Sequence, residues 1–141
     1  MSRVQLALNV SNIDTAVAFY SKLFGAEPAK LRPGYANFAI AEPALKLVLI
    51  ENAEKAGTLN HLGVEVETSD EVEVALTRLD RSGLAATLEK NVDCCYALQD
   101  KGWIKDPDGA PWEIYTVLED SSIHRPSPRL NLKTACGTQC C

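Results

Sequence analysis

Few residues of this sequence are suited to chemistry. His61 is one of two histidines, Glu113 is a single carboxylate between Trp112 and Ile114, and Gln5 stands near the start of the chain. An imidazole nitrogen, a carboxylate and an amide oxygen suit Fe(II), Mn(II), Ni(II), Co(II) or Zn(II). Three protein donors leave positions for water, oxygen or substrate, the layout of a catalytic rather than a structural metal centre. The five cysteines form a second group. Cys94 and Cys95 are adjacent, a spacing at which a mutual disulfide is strained, and Cys136, Cys140 and Cys141 fall in the last six residues. An odd, clustered count is a poor disulfide framework, so these thiols read as free soft ligands. Plainer readings stand beside each. His61 opens a strand and can be a structural histidine. Glu113 can lie on the solvated face of an edge strand. One cysteine of the pair can pack as a small hydrophobe with an incidental neighbour. The tail thiols can be a chance or redox-linked feature. His124, beside Arg125 and Pro126, is read as solvated.

Whether these residues meet depends on the elements that carry them. Asp106-Pro-Asp-Gly109 is turn chemistry, and Trp112, Ile114 and Tyr115 favour a strand. Alternation then turns Glu113 away from Trp112 and Ile114. A carboxylate on the inner face of a sheet is costly unless a cation meets it. Residues 4–10 alternate, with Val4, Leu6, Leu8 and Val10 on one face and Gln5, Ala7 and Asn9 on the other. A helix is expected from a Ser11 cap, with Asp14 three residues on, to about Phe24, its apolar stripe being Ala16, Phe19, Tyr20 and Leu23 and its stop Gly25. Strands are expected at Tyr35–Ile40 and Leu45–Ile50, with a short one near Ala29–Leu31.

The pattern then restarts. His61-Leu-Gly-Val-Glu-Val66 overlays Gln5-Leu-Ala-Leu-Asn-Val10, which makes Gln5 and His61 equivalent. Thr68 with Glu71 caps a second helix whose stripe is Val72, Ala75, Leu76 and Leu79, and Gly83 stops it. Strands follow at Trp103–Lys105 and Trp112–Val117. The expected fold is α+β: two βαβββ modules, about 1–52 and 58–118, forming a curved mixed sheet around a metal-binding cup, with residues 119–141 as an extended tail. The partner of Glu113 in the first module is expected around Lys46–Leu47, neither a usual metal ligand. Pairing of modules within one chain or between two both solve the edge problem, so a homodimer is left open.

Composition narrows the class. The 141 residues are 46% hydrophobic and 23% charged, a globular composition. A net charge of −5 argues against nucleic acid as a partner. No apolar run approaches the roughly 20 residues of a membrane span. The opening Met-Ser-Arg-Val-Gln5 enters a strand pattern directly and is not read as a signal peptide, so a cytoplasmic protein is expected.

The repeat, the helix end Phe19-Tyr-Ser-Lys-Leu-Phe-Gly25, the opening-strand ligands and Asp-Pro-Asp-Gly-x-x-Trp-Glu113 together resemble the vicinal oxygen chelate superfamily of glyoxalases, bleomycin-resistance proteins and extradiol dioxygenases. That resemblance implies His61 and Glu113 as metal ligands with Gln5 in the first-strand ligand position. A narrower resemblance covers essentially the whole chain. The Cys94-Cys-Tyr96 loop, the following Lys-Gly-Trp103 and the Cys136-Gly-Thr-Gln-Cys-Cys141 tail resemble the organoarsenical carbon–arsenic lyases, also called cadmium-induced proteins. It implies Fe(II)- and dioxygen-dependent cleavage of trivalent organoarsenicals, such as methylarsonous acid and aromatic arsenicals, to arsenite. It also implies Cys94 and Cys95 as the substrate-binding thiols. Asp93, Tyr96, Lys101 and Lys105 are left without an assigned role. A thiol-based sequestering protein and a glyoxalase-like isomerase are the alternatives.

Overall fold

The structure, a computed structural model, describes residues 2–94 and 96–120 and, for Cys94, the backbone. The expectations for Cys95, His124, Cys136, Cys140 and Cys141 lie outside the described residues. The strands are β1 (Arg3–Val10), β2 (Lys30–Arg32), β3 (Tyr35–Ile40), β4 (Leu45–Glu51), β5 (Leu59–Glu65), β6 (Thr87–Cys94), β7 (Ala97–Lys105) and β8 (Pro111–Asp120). The helices are α1 (Ile13–Phe24) and α2 (Ser69–Arg81). The chain divides into two compact units between Asn60 and His61, within β5. Each half is the expected βαβββ unit. No helix among the described residues is long and apolar enough to cross a membrane.

In the first half the strands run β2-β3-β4-β1, with β1 parallel to β4 and the rest antiparallel. Alternation gives the sheet two unlike faces. Leu6, Leu8 and Val10 pack with Phe38, Leu47 and Leu49 against Ile13, Ala16, Val17, Tyr20 and Phe24 of α1. Gln5, Ala7 and Asn9 face the other way and are buried as well. Two expectations for α1 are corrected. Its cap is Asn12, not Ser11: the Asn12 side chain accepts from the Thr15 amide at 2.9 Å. Asn and Ser cap about equally well, and the choice is made from outside the helix, because Glu51 Oε2 accepts the Ile13 amide at 2.8 Å. The buried stripe accordingly runs 13, 16, 17, 20, 24, so Phe19 and Leu23 are exposed at 59% and 58%. Gly25 stops the helix at φ 61°, a conformation glycine adopts without strain.

The second half runs β5-β8-β7-β6, with β5 parallel to β8. Thr68 and Glu71 form the expected capping box on α2. Val72 and Leu79 are its buried residues. Gly102 of β7 lies under the helix so closely that a Cβ there would come within 2.9 Å of Leu76 Cγ. Asp106 builds the turn into β8, its Oδ1 accepting the amides of Asp108 at 2.9 Å and Ala110 at 2.8 Å.

Candidate metal centre

Glu113 is set by its register. It pairs with Gly63 on β5 and with Trp103 on β7, while Trp112 pairs with Leu62 and Ile104. The Asp106 turn leads directly into this ladder at Lys105 and Pro111. Glu113 therefore shares a face with His61, Lys101, Trp103 and Tyr115, and it is 2% exposed, so the solvated edge-strand reading fails. His61 is fully buried.

The two expected ligands of this half meet. His61 Nε2 lies 3.3 Å from Glu113 Oε1, and Lys101 Nζ lies 3.2 Å from Glu113 Oε2. The carboxylate thus spends one oxygen on an ammonium and turns the other to the imidazole. Trp103 walls the group: its ring meets His61 edge-on at 5.5 Å, and Lys101 Nζ lies 5.4 Å from its centroid. Trp103 Nε1 is buried with no hydrogen-bond partner among the described residues. Tyr115 donates to Glu65 Oε2 at 2.9 Å on the same face. Burying Lys101 with Glu113 is near break-even in free energy, so this pair is not explained by stability alone.

These residues fit a divalent ion. Two ligands each about 2.1 Å from one metal lie about 3.0–3.4 Å apart, the range of the His61–Glu113 separation. Glu89 and Glu113 are both buried on this face, as is the ammonium of Lys101, and a buried carboxylate is one that a bound cation would stabilise. No three His, Cys, Asp or Glu side chains converge among the described residues. Among the described residues, a third protein donor would be of another kind, such as an amide oxygen.

Gln5 belongs to the first half, 2% exposed and paired with Lys46. The register corrects the expected counterpart of Glu113. Ala7, the equivalent of Gly63, pairs with Val48, so the counterpart is Val48 rather than Lys46–Leu47. A valine there offers no donor, and the first half has no equivalent carboxylate at this point. Cys94 ends β6 opposite Ala97. Sequence reasoning left Lys101 unassigned and did not single out Trp103. Their signal is the run Gln99, Lys101, Trp103 at period two, which places a lysine on the tryptophan's face.

Residues 3–114 match the model of the Glyoxalase/Bleomycin resistance protein/Dioxygenase superfamily. The chain is 57% identical over 131 residues to a Mycobacterium tuberculosis protein called cadmium-induced protein CadI, covering 93% of this chain and 86% of that one. It is 54% identical over 151 residues to a trivalent organoarsenical cleaving enzyme of Thermomonospora curvata, covering all of both. Among solved structures, an extradiol ring-cleaving dioxygenase from B. fuscum superposes with a TM-score of 0.61 at 20% identity, over 87% of this chain and 34% of that one. That last likeness is one of fold.

Proposed function

The chain belongs to the Glyoxalase/Bleomycin resistance protein/Dioxygenase superfamily, and from that premise we propose that it cleaves the carbon–arsenic bond of trivalent organoarsenicals, with Fe(II) and dioxygen, to release arsenite. The metal half of the reading is carried by one observation, the buried convergence of His61 Nε2 and Glu113 Oε1. The substrate half is supported by the Thermomonospora curvata relative, whose name states that activity. His61 and Glu113 hold the ion. The repeat nominates Gln5, at the matching point of β1, as a further ligand. Bound Fe(II) supplies redox chemistry with dioxygen that no side chain offers.

The chain's own residues do the rest. Cys94 and Cys95 capture the arsenical: two thiols replace the two hydroxyls of methylarsonous acid, and two waters leave. The organic group is then the one substituent not held by the protein, and capture turns the encounter into a positioned one. Lys101 restrains one oxygen of Glu113, which leaves the other for the ion. The buried indole N–H of Trp103 is a donor suited to an acceptor atom brought in by a ligand. Cys136, Cys140 and Cys141 are a second thiol group for the same soft ligands. Free thiols of this kind persist in a reducing cytoplasm.

The Mycobacterium tuberculosis relative is named for induction by cadmium, and with the clustered thiols of this chain the second reading is thiol-based sequestration of a soft metal without turnover. Variants separate the two. Cys94→Ser and Cys95→Ser each abolish arsenite release, while metal content stays at the wild-type level. If both variants keep full activity, the capture role is wrong. If the wild type binds methylarsonous acid but releases no arsenite, sequestration stands alone.

A further inference from the structure

The hairpin that carries Cys94 contains one irregularity. Glu89 pairs with Lys101, but the next pair is Val92 with Gln99, so β6 holds one extra residue between them. Asn91, in this gap, has φ 51°, in the left-handed region that asparagine tolerates better than most residues. An inserted residue of this kind exchanges the faces of everything beyond it. The bulge therefore decides to which side of the sheet the end of β6 belongs.

A bulge also removes an amide from the ladder, and that amide bonds elsewhere. Asp100 provides the acceptor. Its Oδ1 accepts the Asn91 amide at 2.8 Å, and its Oδ2 accepts from Ser69 Oγ at 2.7 Å. Ser69 is the first residue of α2, and Asp100 is buried at 8% exposure. The neighbouring Lys90 ammonium pairs with Glu73, one turn further along α2. The bulge is thus fastened at two points to the opening of a capped helix. Asp100 alternates with Lys101, so it belongs to the opposite face of β7 from the His61–Glu113 pair.

We infer that Asp100 is a positioning residue for substrate capture: it holds the Asn91 bulge and so sets the course of the β6 backbone to its end at Cys94, on which thiol capture depends. This deepens the proposed function and rests on its thiol-capture reading. A residue that acts only by holding the hairpin leaves the metal ligands alone, and this separates it from general stabilisation.

The test compares capture with metal binding in the full chain. Methylarsonous acid is titrated calorimetrically into metal-free, reduced full-length protein in which Cys136→Ser, Cys140→Ser and Cys141→Ser leave Cys94 and Cys95 as the remaining thiols, and Co(II) is titrated separately. Asp100→Ala weakens capture at least about tenfold, the effect of one lost charged hydrogen bond, and leaves Co(II) affinity within about twofold. Asp100→Asn keeps an acceptor for the Asn91 amide and restores capture to within about threefold. Ser69→Ala removes one fastening, weakens capture about threefold and speeds amide exchange across 90–94. It serves even where Asp100→Ala fails to fold. The inference is overturned if a folded Asp100→Ala captures like the wild type, if it loses Co(II) binding in equal measure, or if Ser69→Ala changes nothing. A wild type that captures no methylarsonous acid, or Cys94→Ser and Cys95→Ser variants that capture normally, refute instead the thiol reading beneath it.

Discussion

In the first half, Ala7 pairs with Val48 and Val48 with Asn37; in the second, Gly63 pairs with Glu113 and Glu113 with Trp103. Two residues on, Asn9, Ile50 and Tyr35 answer Glu65, Tyr115 and Lys101. The backbones repeat, but the buried chemistry does not. The first half satisfies neutral groups with one another: Asn37 donates to the Tyr35 hydroxyl at 3.1 Å, and Asn9 bonds Thr58 at 3.0 Å and Asn60 at 2.9 Å. The second half buries an imidazole, two glutamates and an ammonium on the equivalent face. Neutral amides close their own networks inside one sheet. Buried charges must be paired to be tolerated, so the two halves bury unlike chemistry on equivalent faces.

Exchanging residues between the halves should break that contrast, and the largest effects belong to His61 and Glu113. His61→Gln gives the second half the residue the first half uses, and it lowers divalent-metal affinity by more than about a hundredfold, read by Co(II) titration. Glu113→Val copies Val48. It removes metal binding and also takes a carboxylate from the buried Lys101, which costs about 3 kcal/mol in the metal-free protein by urea unfolding. Adding Lys101→Met recovers most of that stability and none of the metal binding. Gly102→Ala presses on Leu76 and costs about 1–2 kcal/mol with the ligands untouched.

The smallest effect is at Lys90, an exposed ammonium whose pKa is raised above its usual 10.5 by the hydrogen bond it donates to Glu73 and then by that carboxylate's charge. A raised folded-state pKa stabilises fully below the unfolded value and less as pH rises through the folded one. The wild type should therefore exceed Lys90→Ala slightly in melting temperature at neutral pH, with the difference fading above about pH 10.5.

Much of this was legible from residue types alone. The Thr68–Glu71 box, the Gly25 stop and the Asp106 turn rest on local chemistry, and local chemistry decided each of them. The inward aim of Glu113 was read from the repeat, because period-two alternation in one strand only turns it away from Trp112 and Ile114. What failed depended on partners distant in sequence. Asn12 and Ser11 are equivalent caps until Glu51 binds the Ile13 amide. Val48 could not be matched to Glu113 before the parallel register of β1 and β4 was known. The Asn91 bulge leaves no mark on a strand already rich in polar residues, and Asp100 and Ser69, which hold it, lie 9 and 22 positions away from Asn91 in the chain.

The most direct measurement is arsenic speciation after incubating Fe(II)-loaded protein with methylarsonous acid, with and without oxygen. Arsenite formed in air, absent without oxygen and absent in His61→Gln, is the predicted result. Methylarsonous acid recovered unchanged under air would contradict carbon–arsenic cleavage.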